Sequence, residues 1–417
     1  MLKKLRLTDF KSFVDETVDL APLTLLVGAN ASGKSNFLDA IHFMRALDFD
    51  LSLAEILNGE ERSAPDAWPG IRGRASEVAR LGTSIFSVQS TWHPLTPDSQ
   101  VVAEALPELG RPEFSHKIAC RTEPVPRLES ESLFDAAGRE LFSTGALEGN
   151  RIEVPWTPTR HSRSTTATLV DADRSVLWEV LGSRGPNSPH VPTDVVLYAM
   201  LMTDVLKHVN ILNVRPEEMR GYGRRGGLLG AEGKNVSGVL AEISGDKKTK
   251  QSLVEWLSQI CAPELVDIDF IEVKELGDVM AMFVEQKGKR ISVRSLSDGT
   301  LRFLGTMLAL RLAPPGTVLL IEDLEAGFHP TRIRLLIEYL GAVVRERKIQ
   351  IIATTHSPVV LQWADEEILR NTVVFGRTPN YEGTIARRLS DLPHFDQVAK
   401  RKGIDELFST GWLEMAL

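Results

Sequence analysis

The sequence predicts a mixed α/β fold, and three stretches carry that prediction. Pro22-Leu23-Thr24-Leu25-Leu26-Val27 is a short, largely apolar strand that ends on a glycine and passes into a helix. Thr317-Val-Leu-Leu-Ile321 is an apolar strand that ends in two adjacent acids, and Ile349-Gln-Ile-Ile-Ala-Thr-Thr355 is another, followed by a histidine. Buried strands of this kind, alternating with helices, pack side by side into an α/β core.

The elements follow in chain order. Residues 1 to about 20 alternate in polarity (Leu5, Leu7, Phe10, Phe13, Val18, Leu20) and read as an antiparallel hairpin. After the first apolar strand, Phe37, Ile41, Met44 and Leu47 recur at helical spacing from Lys34 onward. The stretch from about 60 to 190 is rich in Pro, Ser, Thr and Arg, with strand-like pieces at Ser84–Trp92, Lys117–Arg121 and Arg151–Val154, and reads as a β-rich subdomain with loops. Residues 193–260 look mainly helical, broken by the Gly/Arg stretch Arg220–Gly227; 265–293 look like strands, and the remainder alternates helix and strand. The expected organisation is a core made of 1–60 and 290–417, a β-rich subdomain at 61–190 and a mainly helical subdomain at 191–289. No heptad pattern or internal repeat is evident, which argues against a coiled coil or solenoid.

Composition narrows the function classes. A chain of 417 residues that is 43% hydrophobic and 25% charged is neither collagen-like, mucin-like nor disordered. Its net charge of -8 gives no overall attraction to nucleic acid or acidic lipid. A DNA contact would need a local basic patch, and Arg215, Arg220, Arg224, Arg225 and Lys234, interleaved with glycines and Tyr222, form the candidate, with a solvated loop as the alternative. Cys120 and Cys261 stand far apart, so neither a disulfide framework nor a zinc-binding pair is expected, which suits a reducing cytoplasm. The N-terminus carries no apolar secretory segment, and the longest apolar run, Val195–Met202, is far short of the roughly 18 residues of a membrane span.

The chemistry is concentrated in four places. Gly28-Ala-Asn30-Ala-Ser-Gly33-Lys34-Ser35 is a complete Gly-x-x-x-x-Gly-Lys-Ser between strand and helix. Its backbone N–H groups and helix N-terminus suit a β-phosphate, with Lys34 reaching a γ-phosphate and Ser35 ligating Mg²⁺. Glu322-Asp323 supplies two carboxylates at a strand end, one for the metal and one for water; solvated acids after a buried strand are the alternative. His356 could orient the attacking water or meet a phosphate, although a lone histidine after a strand is often structural. Ser297-Asp298-Gly299-Thr300 opens a helix that repeats Leu301, Leu304, Leu308 and Leu312, as an ordinary cap or as a second phosphate-binding helix N-terminus used in trans.

In order and kind, these motifs resemble the ABC class of ATPases, as Walker A loop, signature motif, Walker B strand and switch histidine. More narrowly, Leu5-x-Leu7-x-x-Phe10-Lys11-Ser12-Phe13 and the loop with its following Asn36 resemble the branch of RecF, structural-maintenance-of-chromosomes heads and OLD-family ATPase domains. Ser297 to Arg302 and Glu325-Ala-Gly-Phe-His329-Pro330 resemble the standalone AAA-type ATPases of bacterial defence operons. The resemblance covers 1 to about 45 and about 205 to 365, and implies a P-loop NTPase fold with an ABC-ATPase-like head.

Carried over by position, the resemblance implies that Gly28, Asn30, Gly33, Lys34, Ser35 and Asn36 hold the phosphates of ATP and Mg²⁺, and that Lys11 or Ser12 lies near the adenine. Glu322 takes the metal position beside Ser35, Asp323 that of the base, and Lys34 and His356 complete the catalytic set. Ser297 and Gly299 reach ATP held by a second copy. Departures are the Glu-Asp order, which suggests slow hydrolysis, Asp298-Gly-Thr in place of Gly-Gly-Gln, and a lobe-linking glutamine that is not assigned, Gln89 being a candidate that reads more simply as a strand residue. The expected function is a Mg-dependent ATPase that dimerises head to head on ATP and gates double-stranded DNA or a separate effector protein in anti-phage defence. About 60 residues after His356, without a second carboxylate cluster, argue for an effector on another polypeptide. Alternatives are a non-hydrolysing nucleotide-dependent scaffold and the nucleotide-binding subunit of a membrane transporter; the insertion and the Phe-Lys-Ser-Phe opening argue against the latter. No Asn-Lys-x-Asp guanine motif, Gly-x-Ser-x-Gly or His-Glu-x-x-His occurs, so GTPase, serine-hydrolase and zinc-protease readings fall away.

Overall fold

A computed structural model describes residues 1–60, 67–94, 113–157, 167–182, 191–227, 229–260, 265–378, 380–395, 398 and 403–417. Cys261 and parts of the stretch 61–190 lie outside the described residues. The chain opens with β1 (Leu2–Phe10) and β2 (Phe13–Asp19), an antiparallel hairpin in which Leu5 faces Val18 and Phe10 faces Phe13. Its period-two pattern buries Leu5 and Leu7 on one face and leaves Arg6 to pair with Asp15 on the other, and Phe10 is buried at the strand end, after the positive φ of Asp9. β3 (Leu23–Val27) follows, and then the helix Lys34–Ala46.

The middle of the chain continues the first sheet. β4 (Ile85–Trp92), β5 (Phe114–Arg121), β6 (Arg127–Phe134) and β7 (Glu140–Ser143) extend it in the order β2-β1-β4-β5-β6-β7, while β8 (Leu147–Glu148), β9 (Arg151–Val154) and β10 (Thr168–Asp171) make a three-stranded sheet beside it. Glu131 on β6 is fully buried, and its carboxylate lies 2.7 Å from His116 Nε2 and accepts from Ser175 Oγ and Val176 N. It thereby ties the sheet to the helix Val176–Gly182.

β11 (Val209–Leu212) precedes β12 (Gly223–Arg224), β13 (Leu265–Val273), β14 (Asp278–Glu285) and β15 (Arg290–Ser292), which form a separate antiparallel sheet. β16 (Val318–Ile321), β17 (Gln350–Thr355), β18 (Val373–Gly376) and β19 (Ile385–Arg388) complete a mixed sheet in the order β11-β16-β17-β3-β18-β19, parallel except for β19. Both faces of this sheet are buried. Leu26, Leu320, Ile352 and Phe375 point to a core shared with the antiparallel sheet and the Lys34–Ala46 helix; Leu25, Val27, Ile321, Ile351 and Ala353 point to one built with the helices Asp298–Leu312 and Pro330–Arg347.

This is the ABC-like P-loop architecture expected, with a mixed core sheet, an antiparallel β unit and a helical unit that carries the signature helix. The antiparallel sheet draws on both sides of residue 60, because the β1–β2 hairpin offers its free edge to β4. β11 enters the parallel sheet from within the stretch read as helical; four residues after a long helix give too short a pattern to read. Among the described residues no helix is long and apolar enough to cross a membrane.

One buried polar side chain joins the two large sheets. Gln350 Oε1 accepts from Leu2 N at 2.8 Å, and its Nε2 donates to Leu2 O at 2.8 Å and Ala21 O at 3.0 Å. Gln89, the sequence candidate for a linking glutamine, is instead a β4 residue opposite Arg6 and Lys117. Gln350→Leu keeps the volume but leaves backbone groups unpaired in the core, each costing about 1–3 kcal/mol; we expect chemical denaturation to show a loss of about 3 kcal/mol, against about 0.5 kcal/mol or less for Gln89→Leu.

Candidate functional site

The glycine loop lies at the carboxyl end of β3, between β17 and β18, at the point in the sheet where strand order reverses. Two of its glycines are dictated by space as well as by φ. A Cβ on Gly28 (φ 143°) would come within 2.1 Å of Phe375 O, and one on Gly33 (φ 108°) within 2.5 Å of Thr384 Oγ1. Thr384, ahead of β19, locks the loop: its N–H donates to Ser12 O at 2.7 Å, and its Oγ1 lies 2.8 Å from Ser12 Oγ and 3.0 Å from Ser32 O. Asn36 Nδ2 donates to the same Ser12 Oγ at 2.9 Å. Asn30 is exposed at the crest of the loop, and Ser35 is exposed on the first turn of the helix, which carries no acid there to oppose an anion.

Lys34 is buried and folded back into the loop. Its Nζ donates to Gly28 O and Ala29 O, both at 2.8 Å, and lies 3.3 Å from Ser32 Oγ. Burial pushes the ammonium down to about 8, opposed by Asp323, Glu414 and Glu325. The free loop thus closes around its own lysine.

The acids stand at the end of β16. Asp323 adopts φ 48°, a conformation that costs a non-glycine residue energy and is held because its N–H donates to Thr354 Oγ1 at 2.9 Å. In this pose its carboxylate faces His356, with Nε2 3.4 Å away. Glu325, two residues on, clamps the end of β17 by accepting from Thr355 Oγ1 and His356 N, each at 2.7 Å. Acid pair and histidine are therefore held as one unit.

Arg72, which sequence reasoning did not single out, links the main chain at Ser35 to Glu322. Its Nε donates to Asp39 Oδ1 at 2.9 Å, and its Nη2 donates at 2.9 Å both to Ser35 O and to Glu322 Oε1. Lys11 pairs with Asp39 as well and donates to Arg72 O at 2.8 Å. Arg72 and Asp39 line two cavities at once: one of about 540 Å³ with Lys11, Ser12, Ser35 and Asn36, and one of about 510 Å³ with His42, Asn213, Arg215 and Glu322. The available signal was Pro69-Gly-Ile-Arg72-Gly-Arg74, arginines set among turn residues.

The signature segment lies apart. Ser297 and Gly299 line neither cavity; Ser297 Oγ accepts from Thr300 N as a helix cap, and Gly299 packs against Gly327, where a Cβ would lie 2.6 Å from the Gly327 carbonyl. Arg220 braces this segment by donating to Arg294 O, to Leu296 O at 2.9 Å and to Asp298 Oδ1 at 2.6 Å. Of the other basic residues, Arg215 pairs with Glu232, Arg225 with Glu272 and Lys234 with Glu218, while Arg224 is exposed. The stretch acts as a strut more than as a free cationic surface.

Two family profiles match the chain, one described as "AAA ATPase domain" over residues 1–71 and one described as "AAA domain, putative AbiEii toxin, Type IV TA system" over residues 200–362. No curated protein matches. Solved structures that align include a SMC head bound to the C-winged helix domain of ScpA (14% identity, 93% of this chain and 98% of that one, TM-score 0.48). A SMC head domain from Thermotoga maritima aligns at 13% identity (93% and 98%, TM-score 0.39), and a Smc head domain with an extended coiled coil, bound to the C-terminal domain of ScpA derived from Pyrococcus furiosus, at 13% (96% and 99%, TM-score 0.42). The first matched segment holds the glycine loop, and the second holds the Ser297–Gly299 segment, the acid pair and the histidine, so the two AAA matches fall on the residues of this site.

Proposed function

We propose that the chain binds ATP with Mg²⁺ and hydrolyses it, that ATP joins two copies head to head, and that the cycle gates a separate effector protein in bacterial anti-phage defence. The observation that carries this reading is the convergence, at the carboxyl ends of β3, β16 and β17, of a glycine loop with its lysine, an acid pair and a histidine.

The residues fit the nucleotide. Gly28 and Gly33 let the loop press against Phe375 and Thr384, Gly28, Asn30 and Gly33 turn its backbone, and Lys34 is already turned into it. Ser12, held by Asn36 and Thr384, and Lys11 line the cavity that continues from Ser35 and suit the base and ribose. Ser35 and Glu322 would hold Mg²⁺. Among the described residues no group of three or more His, Cys, Asp or Glu forms a self-sufficient metal centre, so phosphate oxygens must complete the shell. Bound there, Mg²⁺ supplies charge neutralisation along the phosphates. Asp323 is the base for the attacking water, and His356 fixes its carboxylate. The short Asp323 side chain in the strained pose makes hydrolysis slow.

Dimerisation is supported by the separation of the signature segment from its own glycine loop: Ser297 is exposed, and a second copy can bring it and Gly299 to phosphate. Between the two gated partners, the effector protein is favoured over double-stranded DNA because the basic stretch is largely paired internally. The defence role rests on the toxin–antitoxin description of the 200–362 profile. A cytoplasmic setting follows from that role.

Steady-state ATP turnover with and without linear duplex DNA tests the reading. We expect Lys34→Ala to lose nucleotide binding and turnover together, and Asp323→Ala to bind ATP, lose about 10²-fold in turnover and accumulate as a dimer in size-exclusion chromatography. Binding without turnover in the native chain would favour the scaffold. A pH effect follows from Lys34, whose ammonium sits at about 8 in the fold against an ordinary 10.5. Charged burial costs stability below pH 8, and the cost fades as pH rises toward 10.5. Melting of the nucleotide-free chain should therefore gain on that of Lys34→Met across this interval, whereas parallel profiles would contradict the assignment.

A further inference from the structure

We infer that Arg72 competes with a metal ion for Glu322: its guanidinium holds the carboxylate that the metal would use. The inference rests on the proposed Mg-ATP reading and adds to it a residue that sets the metal requirement.

The geometry is specific. The two residues expected to share the metal line different cavities, Ser35 the first and Glu322 the second, and the Arg72 guanidinium is the wall between them. One nitrogen, Nη2, contacts Ser35 O and Glu322 Oε1 at 2.9 Å each. A positive group thus lies between the Ser35 carbonyl and the Glu322 carboxylate, and a cation brought to that carboxylate meets its charge. The guanidinium also holds Asp39, through Nε and through the same Nη2, each at 2.9 Å; Asp39 is 6% exposed and also holds Lys11, whereas Glu322 is 43% exposed. The weaker, more solvated contact is the one that must break, while Nε stays on Asp39.

Charge balance gives the exchange a direction. In the free chain Lys11 and Arg72 are matched by Asp39 and Glu322. Once Glu322 turns to a metal, the remaining three residues carry a net positive charge that faces the cavity of Ser35 and Asn36, where phosphates would lie. The same arginine that opposes the metal in the empty site thus favours the triphosphate after release.

The test titrates Mg²⁺ against binding of a fluorescent ATP analogue to the native chain, Arg72→Gln and Arg72→Ala. Removing one half-exposed ion pair should lower the Mg²⁺ concentration at half-saturation by about two- to fivefold, and this gain should vanish when Glu322→Gln is added. Mn²⁺ binding without nucleotide, followed by electron paramagnetic resonance, should tighten in Arg72→Gln by a similar factor. An unchanged or higher metal requirement in both Arg72 variants, with unchanged circular dichroism, would overturn the exchange. Failure of the native chain to bind the analogue would instead overturn the ATP reading, and the nucleotide-free Mn²⁺ comparison would still decide the role of Arg72.

Discussion

A peptide loop can surround an anion only if its N–H groups turn inward and no side chain takes the space, and here that constraint is met by pressing the loop against its neighbours. Gly28 lies so close to the Phe375 carbonyl, and Gly33 to Thr384, that no other residue fits either place. β18 and β19 supply those contacts, and β18 is parallel to β3 while β19 folds back antiparallel upon it. The antiparallel edge strand is what delivers Thr384 to Ser12 and Ser32. The order of strands in the sheet therefore serves the shape of one short loop.

The same loop explains the two long-range polar joints. Ser12 reaches the loop only because the β1–β2 hairpin, which carries it, is fixed relative to the parallel sheet, and Gln350 makes that attachment through Leu2 and Ala21. A buried amide satisfied on both its ends gives register as well as stability, since a slip of one residue would leave the core with unpaired backbone groups. Glu325 does the corresponding work on the far side, fixing the end of β17 so that His356 meets Asp323.

What the sequence disclosed was what is contiguous. Gly28 to Asn36, Glu322-Asp323 and His356 each announce themselves within a few residues of an apolar strand, because the strand end is where chemistry is exposed. The parallel core and the β1–β2 hairpin were legible for the same reason, through short-range period. Arg72, Asp39 and Thr384 were not, because their meaning arises from pairing across the fold: Arg72 meets Glu322 at a separation of 250 residues, and Thr384 meets Ser12 at 372. The basic stretch was legible as charge and misleading as surface, since its partners Glu218, Glu232, Glu272 and Asp298 are acids scattered through the chain.

These contacts also connect two sites that the sequence separates. The turn after the acid pair has Glu325 on the end of β17 at one side and Gly327 against Gly299 at the other, with the Arg302 side chain packed over Gly327 so closely that a Cβ there would lie 2.7 Å from its Cδ. Gly299 in turn opens the helix whose first acid, Asp298, is held by Arg220. Closely packed backbone has little room to absorb a displacement locally. The acids at the end of β16 and the exposed Ser297 and Asp298 are therefore braced by one tightly packed turn.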